Sequence, residues 1–74
     1  MDKKFYYNIL YDYYKELLTK KQQDYYESYY FQDYSLQEIA ENEKVSRNAV
    51  FNQVKIVLEH LDFYEEKLHL YRNR

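Results

Sequence analysis

Asn48, Phe51, Asn52 and Lys55 recur at spacings of three, one and three residues, which at about 100° per residue gathers them on one side of a helix. A carboxamide can pair with two atoms on the edge of adenine, a ring can lie on a thymine methyl, and an ammonium can reach a phosphate or a guanine. The set suits the reading of base edges, not the breaking of bonds. Arg47 comes one position earlier, in the first turn after Ser46, where a guanidinium and the unpaired amides of a helix start can both approach phosphate. Val50, Val54, Val57 and Leu61 take the other side of the same helix and supply the face that must be buried.

Such a face needs elements that hold it out. Ser46 is an N-cap residue for the helix that carries it, and Ser35 with Glu38 forms a capping box for a preceding helix whose buried edge is Ile39-Ala40. Two short helices hinged by a tight turn over residues 35–61 have the pattern of a helix-turn-helix. Upstream, residues 3–18 read as a helix with Tyr6, Ile9, Leu10, Tyr13 and Leu17 on one face, and Thr19 with Gln22 makes a second capping box. The helix begun there carries Tyr25, Tyr26, Tyr29 and Tyr30 as its stripe, and Asp33-Tyr34 leads to the cap at Ser35. Residues 62–70 are either an extension of the last helix or a short helix capped by Asp62, with Phe63, Tyr64 and Leu68 as contacts. The last four residues, with two arginines, are expected to fray.

The chain of 74 residues has no glycine, proline or cysteine. Strands need glycine and proline punctuation more than helices do, so the expected fold is all-α, a four- or five-helix bundle in one domain. Its parts are a tyrosine-rich hairpin at 3–34, the helix-turn-helix at 35–61 and the C-terminal piece at 62–70. Without cysteine there are no disulfides or thiolate metal sites, and a reducing cytoplasm is the expected compartment. No apolar run approaches the roughly 18 residues of a membrane span, and the acidic, lysine-bearing N-terminus does not resemble a signal peptide.

The net charge is −2, and residues 35–61 carry three basic against four acidic side chains. Phosphate neutralisation supplies most nucleic-acid affinity, so any DNA binding should be weak at physiological salt. Of the twelve tyrosines, ten precede Ser35, more than a two-helix half-core is expected to bury. Tyr7, Tyr11 and Tyr14, with one of Tyr29 or Tyr30, are therefore expected at an exposed protein interface, most simply of a homodimer. Stacking of these rings on single-stranded bases would need a basic groove, and the first 34 residues hold five lysines against six acids.

No catalytic constellation is present, and an enzyme is not expected. Ser46 has no activating histidine or acid beside it, Glu65 and Glu66 point about 100° apart and read as a solvated charged face, and His60 and His69 are too far apart for one metal site. No cofactor is expected.

The run from Leu10 to Lys55, through LYDYY, LLTKKQ, SLQEIAE and VSRNAV in that order, resembles the YlxM family of small bacterial helix-turn-helix proteins, and YEEKL at 64–68 continues the similarity more loosely. That family in turn resembles the fourth region of sigma factors, a helical domain without a wing. The resemblance implies a cytoplasmic regulator in a family whose genes commonly lie beside that of the signal recognition particle GTPase, and a role in that targeting pathway by association. Ser46, Arg47, Ala49, Val50 and Lys55 occupy the family's reading-helix pattern, with Asn48, Phe51 and Asn52 as close variants. Three residues depart from it. Glu43 replaces an apolar residue, Lys44 replaces the glycine of the turn, and Ile56 replaces a base. Regulation through DNA is the leading expectation. The alternatives are an adaptor of the particle that has lost DNA affinity, or an accessory that binds the particle's RNA.

Overall fold

In the computed structural model, which describes residues 3–73, four helices are laid down in chain order: α1 (Lys3–Tyr14), α2 (Lys20–Tyr30), α3 (Leu36–Glu43) and α4 (Arg47–Leu68). A single 3₁₀ turn, Lys15–Leu17, follows α1. Each start after the first is set by a side chain that accepts an otherwise orphaned amide. Thr19 accepts from Gln22 and Ser35 from Glu38, both with the reciprocal bond of a full capping box, and Ser46 accepts from Ala49.

The ends of α3 and α4 and the loop after α2 use left-handed residues, which normally means glycine. This chain has none, and Asp33, Lys44 and His69 take the positions, with φ of 58°, 60° and 55°. Aspartate and histidine tolerate that region better than most residues; lysine has no such compensation. At Lys44 the turn is closed by the amides of Lys44 and Val45, both donating to the Ala40 carbonyl.

Two buried clusters lie along α4. Tyr25, Ile39 and Ala40 close on Val50 and Val54 at its N-terminal half, and Leu10, Tyr11, Tyr14, Leu18 and Tyr26 close on Val57 and Leu61 further on. Tyr30 packs against both. All four residues of the expected apolar face of α4 are thus core.

The buried face of α1 differs from the expected one. Tyr13 and Leu17 are exposed, and the stripe runs through Tyr7, Leu10, Tyr11 and Tyr14 to Leu18. The α-helix tightens into the 3₁₀ turn at Lys15, which changes the angular register before Leu17 and turns Leu18 inward. The expected exposure of Tyr7, Tyr11 and Tyr14 is corrected accordingly. Tyr11 and Tyr14 are 1% and 0% exposed and Tyr7 is half-buried. Their number was set against a two-helix hairpin, whereas α4 supplies a third wall, and the tyrosine hydroxyls find partners there and across the hairpin between α1 and α2. Tyr7 donates to Asp62, Tyr11 to Glu27, Tyr14 to Glu65 and Tyr26 to Asn8. Rings with satisfied hydroxyls can be buried at little polar cost. Burial, then the bond to Asp62, pushes the Tyr7 phenol up to about 12.

The helix does not break at Asp62, which lies mid-helix in α4. Phe63 and Leu68 are exposed and Tyr64 donates to the Leu17 carbonyl. Glu65 is buried, which corrects its expected place on a solvated face, and of the segment expected to fray, whose Arg74 lies outside the described residues, it holds Tyr71 and Arg72. Its two oxygens accept the amides of Tyr71 and Arg72 at 3.2 and 3.0 Å, while Tyr14 donates to Glu65 and accepts the Leu70 amide. Burial alone would raise the Glu65 carboxyl, but the bonds from Tyr14, Tyr71 and Arg72 together hold it below its ordinary value. Among the described residues no helix is long and apolar enough to cross a membrane.

Candidate nucleic-acid interface

The turn at Lys44 and the cap at Ser46 launch α4 away from α3, so that Val50 and Val54 face the core and Arg47, Asn48, Phe51, Asn52 and Lys55 stay exposed. All five expected reading residues are therefore on the surface of the first turns of α4. Ser46 is also exposed; its oxygen is engaged with the Ala49 amide at 3.0 Å, leaving the hydroxyl proton to donate outward. Among the described residues neither Arg47 nor Lys55 is in an ion pair, so both charges are available. The ordered set of donors at a helix N-terminus is suited to anionic oxygen and to base edges.

The five residues do not form one crest. Arg47, Asn48, Phe51 and Lys55 border a groove of about 670 Å³, while Asn52 stands outside it. The opposite wall is Tyr29, Tyr30 and Leu36, from the end of α2 and the start of α3, and Val54 and Leu58 contribute to the lining. One of Tyr29 or Tyr30 was expected at a protein interface and neither beside the exposed face of α4, because they lie 18 and 17 positions before Arg47. Only their half-buried state, forced by the close approach of α2 to α4, gives them away.

Charge along α4 is uneven. The exposed side continues beyond Lys55 with Glu59, Asp62 and Glu66, so the positive half ends within about two turns of Arg47 and the acidic half begins. A phosphate backbone would be accepted at the N-terminal half and repelled at the other. Glu43, one of the departures, is paired with Lys21 of α2 at 3.1 Å and ties α2 to α3 across the surface. Ile56 is half-buried. The histidines serve separate places. His60 Nδ1 lies 3.5 Å from the Gln22 side chain and His69 occupies the left-handed end of α4. No group of three or more metal-ligating side chains occurs among the described residues.

Two capped helices joined by a left-handed turn, the second packed through valines and exposing its polar side, define a helix-turn-helix domain in an all-helical fold. Over residues 1–74 the sequence matches the model of the UPF0122 family, described as "Putative helix-turn-helix protein, YlxM / p13 like", and the chain belongs to that family. It is 56% identical over 64 residues to a family protein of Oceanobacillus iheyensis, covering 86% of this chain and 61% of that one. It is 54% identical over 71 residues to one from Limosilactobacillus reuteri, covering 96% and 63%. A Listeria innocua member is 52% identical over 65 residues, covering 88% and 59%. The chain thus spans about three-fifths of the length of these relatives.

Proposed function

We propose that this chain is a DNA-binding regulatory domain that reads duplex DNA through the N-terminal half of α4. The observation that carries the proposal is the exposure of Arg47, Asn48, Asn52 and Lys55 on a helix start held out by the Ser46 cap and the Lys44 turn. In this reading Arg47, Ser46 and the first amides of α4 bind phosphate, Asn48 and Asn52 pair with adenine edges, Phe51 lies on a thymine methyl and Lys55 reaches the backbone or a guanine. Affinity is weak, because two basic groups per chain displace few counterions and Glu59, Asp62 and Glu66 oppose the phosphates.

The test is binding to fragments of the source genome at low and moderate salt. Wild type is expected to bind at about 50 mM salt with a log–log slope near −2 per chain for two phosphate contacts. Arg47→Ala is expected to lower that slope by about one, and Asn52→Ala to flatten preference among sequences with little change in slope. Equal binding by wild type and Arg47→Ala places the contact surface elsewhere, and absence of binding at low salt overturns the reading.

One observation favours a second reading, an adaptor that contacts protein instead of DNA: the acidic half of α4 occupies a large share of the same exposed side. The family resemblance directs that reading to the signal recognition particle, its GTPase or its RNA. Co-purification from the source cell, analysed for protein and nucleic acid together, distinguishes the two.

A further inference from the structure

The groove beside the reading face has a chemistry that duplex recognition does not use. Its walls are Tyr29 and Tyr30 on one side and Phe51 on the other, with Arg47 and Lys55 at its border. Tyr30 is the outer member of a column of rings. Tyr11 stacks on Tyr26 with centroids 4.3 Å apart and planes 12° apart, Tyr26 on Tyr30 at 4.6 Å and 24°, and Tyr29 meets Tyr30 edge-on at 5.1 Å. The inner rings are buried, so the orientation of the outer ones is set by the core and costs little entropy to hold.

We propose that this groove binds an unpaired stretch of DNA, its bases against Tyr29, Tyr30 and Phe51 and its phosphates on Arg47 and Lys55. A groove with aromatic side chains beside backbone-tracking cations is the arrangement by which proteins hold single strands without reading their sequence. The tyrosine-rich segment carries more acids than lysines, and the packing of α2 against α4 brings Arg47 and Lys55 to the border of its rings. Arg47 and Lys55 are eight residues apart, about 12 Å along the helix axis. One phosphate would require both side chains to extend fully toward each other, whereas phosphates of successive nucleotides would not. That separation favours a strand over a free nucleotide. The inference shares Arg47, Phe51 and Lys55 with the duplex reading and rests on it to that extent; Tyr29 belongs to the groove alone.

Fluorescence anisotropy with a labelled oligo-dT strand, a duplex, a mononucleotide competitor and an acidic amphipathic peptide tests it, with folding of each variant checked by circular dichroism. Wild type is expected to bind the strand with a salt slope near −1.4, two phosphates at the single-strand value. Tyr29→Ala is expected to weaken strand binding about tenfold, Tyr29→Phe to restore it, and duplex binding to be unchanged in both. Loss of duplex binding with retained, Tyr29-dependent strand binding overturns the duplex reading alone. The groove proposal is overturned by failure of wild type to bind the strand at about 50 mM salt. Equal strand binding by Tyr29→Ala and wild type also overturns it, as does displacement of the strand by the mononucleotide or the peptide at equal concentration.

Discussion

At the scale of single residues, the left-handed turn at Lys44 is the position where local chemistry and fold disagree most. A β-carbon at φ 60° crowds the following carbonyl, at about 1 kcal/mol for an ordinary residue. Lys44→Gly removes the crowding, offset in part by the greater freedom of glycine in the unfolded chain. The expected outcome is a gain of up to about 1 kcal/mol, seen as a rise of roughly 4–8 °C in the midpoint of a thermal melt for a domain of this size. A lower midpoint would mean that Lys44 makes a compensating contact in solution. The position was legible beforehand through the family resemblance, in which Lys44 stands where the turn has glycine. Asp33 and His69 also take left-handed conformations and were not legible: the cap at Ser35 marks where the helix after Asp33 starts but not which loop residue turns left-handed, and no cap follows His69.

At the scale of the element, α4 is one helix of 22 residues with two employments. Its first half is held out by Ser46 and exposes donors, and its second half packs on α1 and ends in a carboxylate that gathers the returning chain. Glu65 is held below its ordinary value, so the unfolded chain takes up its proton first as the pH falls. The stability it contributes is fully present above the ordinary carboxylate value of 4.5 and is lost as pH falls through the lowered folded value. Glu65→Gln keeps the side-chain shape and one acceptor but cannot titrate. Urea unfolding between neutral pH and pH 3 is expected to show wild type more stable at neutrality, with the difference shrinking as the solution is acidified. A difference that stays constant with pH would show that the carboxylate charge plays no part in holding the C-terminal residues.

At the scale of the whole molecule, the expected dimer surface has to be relocated. Tyr11 and Tyr14 are core, and replacing them with serine is expected to unfold the chain instead of splitting a dimer. The large apolar side chains left exposed include Leu17, Phe63, Leu68 and Leu70, and the bonds from Tyr64 to Leu17 and from Leu70 to Tyr14 bring the 3₁₀ turn, the end of α4 and the following residues together. We expect self-association through this end, which lies away from Arg47 and leaves the N-terminal half of α4 free in both chains of a pair. Sedimentation at about 100 μM checks it, with Phe63→Ser and Leu68→Ser expected to give a folded monomer. A wild-type monomer at that concentration would overturn the expectation.

Helix starts, the valine face of α4 and the exposure of Arg47, Asn48, Phe51, Asn52 and Lys55 were determined by the sequence itself. Capping boxes act over three residues and a helical face repeats every three or four, so neither needs a distant partner. The buried register of α1, the burial of Tyr11 and Tyr14, the inward turn of Glu65 and the groove formed with Tyr29 and Tyr30 were decided only by tertiary structure. Each depends on a contact made across many positions of chain, as between Tyr14 and Glu65 or between α2 and α4. A tyrosine reads the same at the surface and in the core until its hydroxyl has a partner, and here those partners lie on other helices.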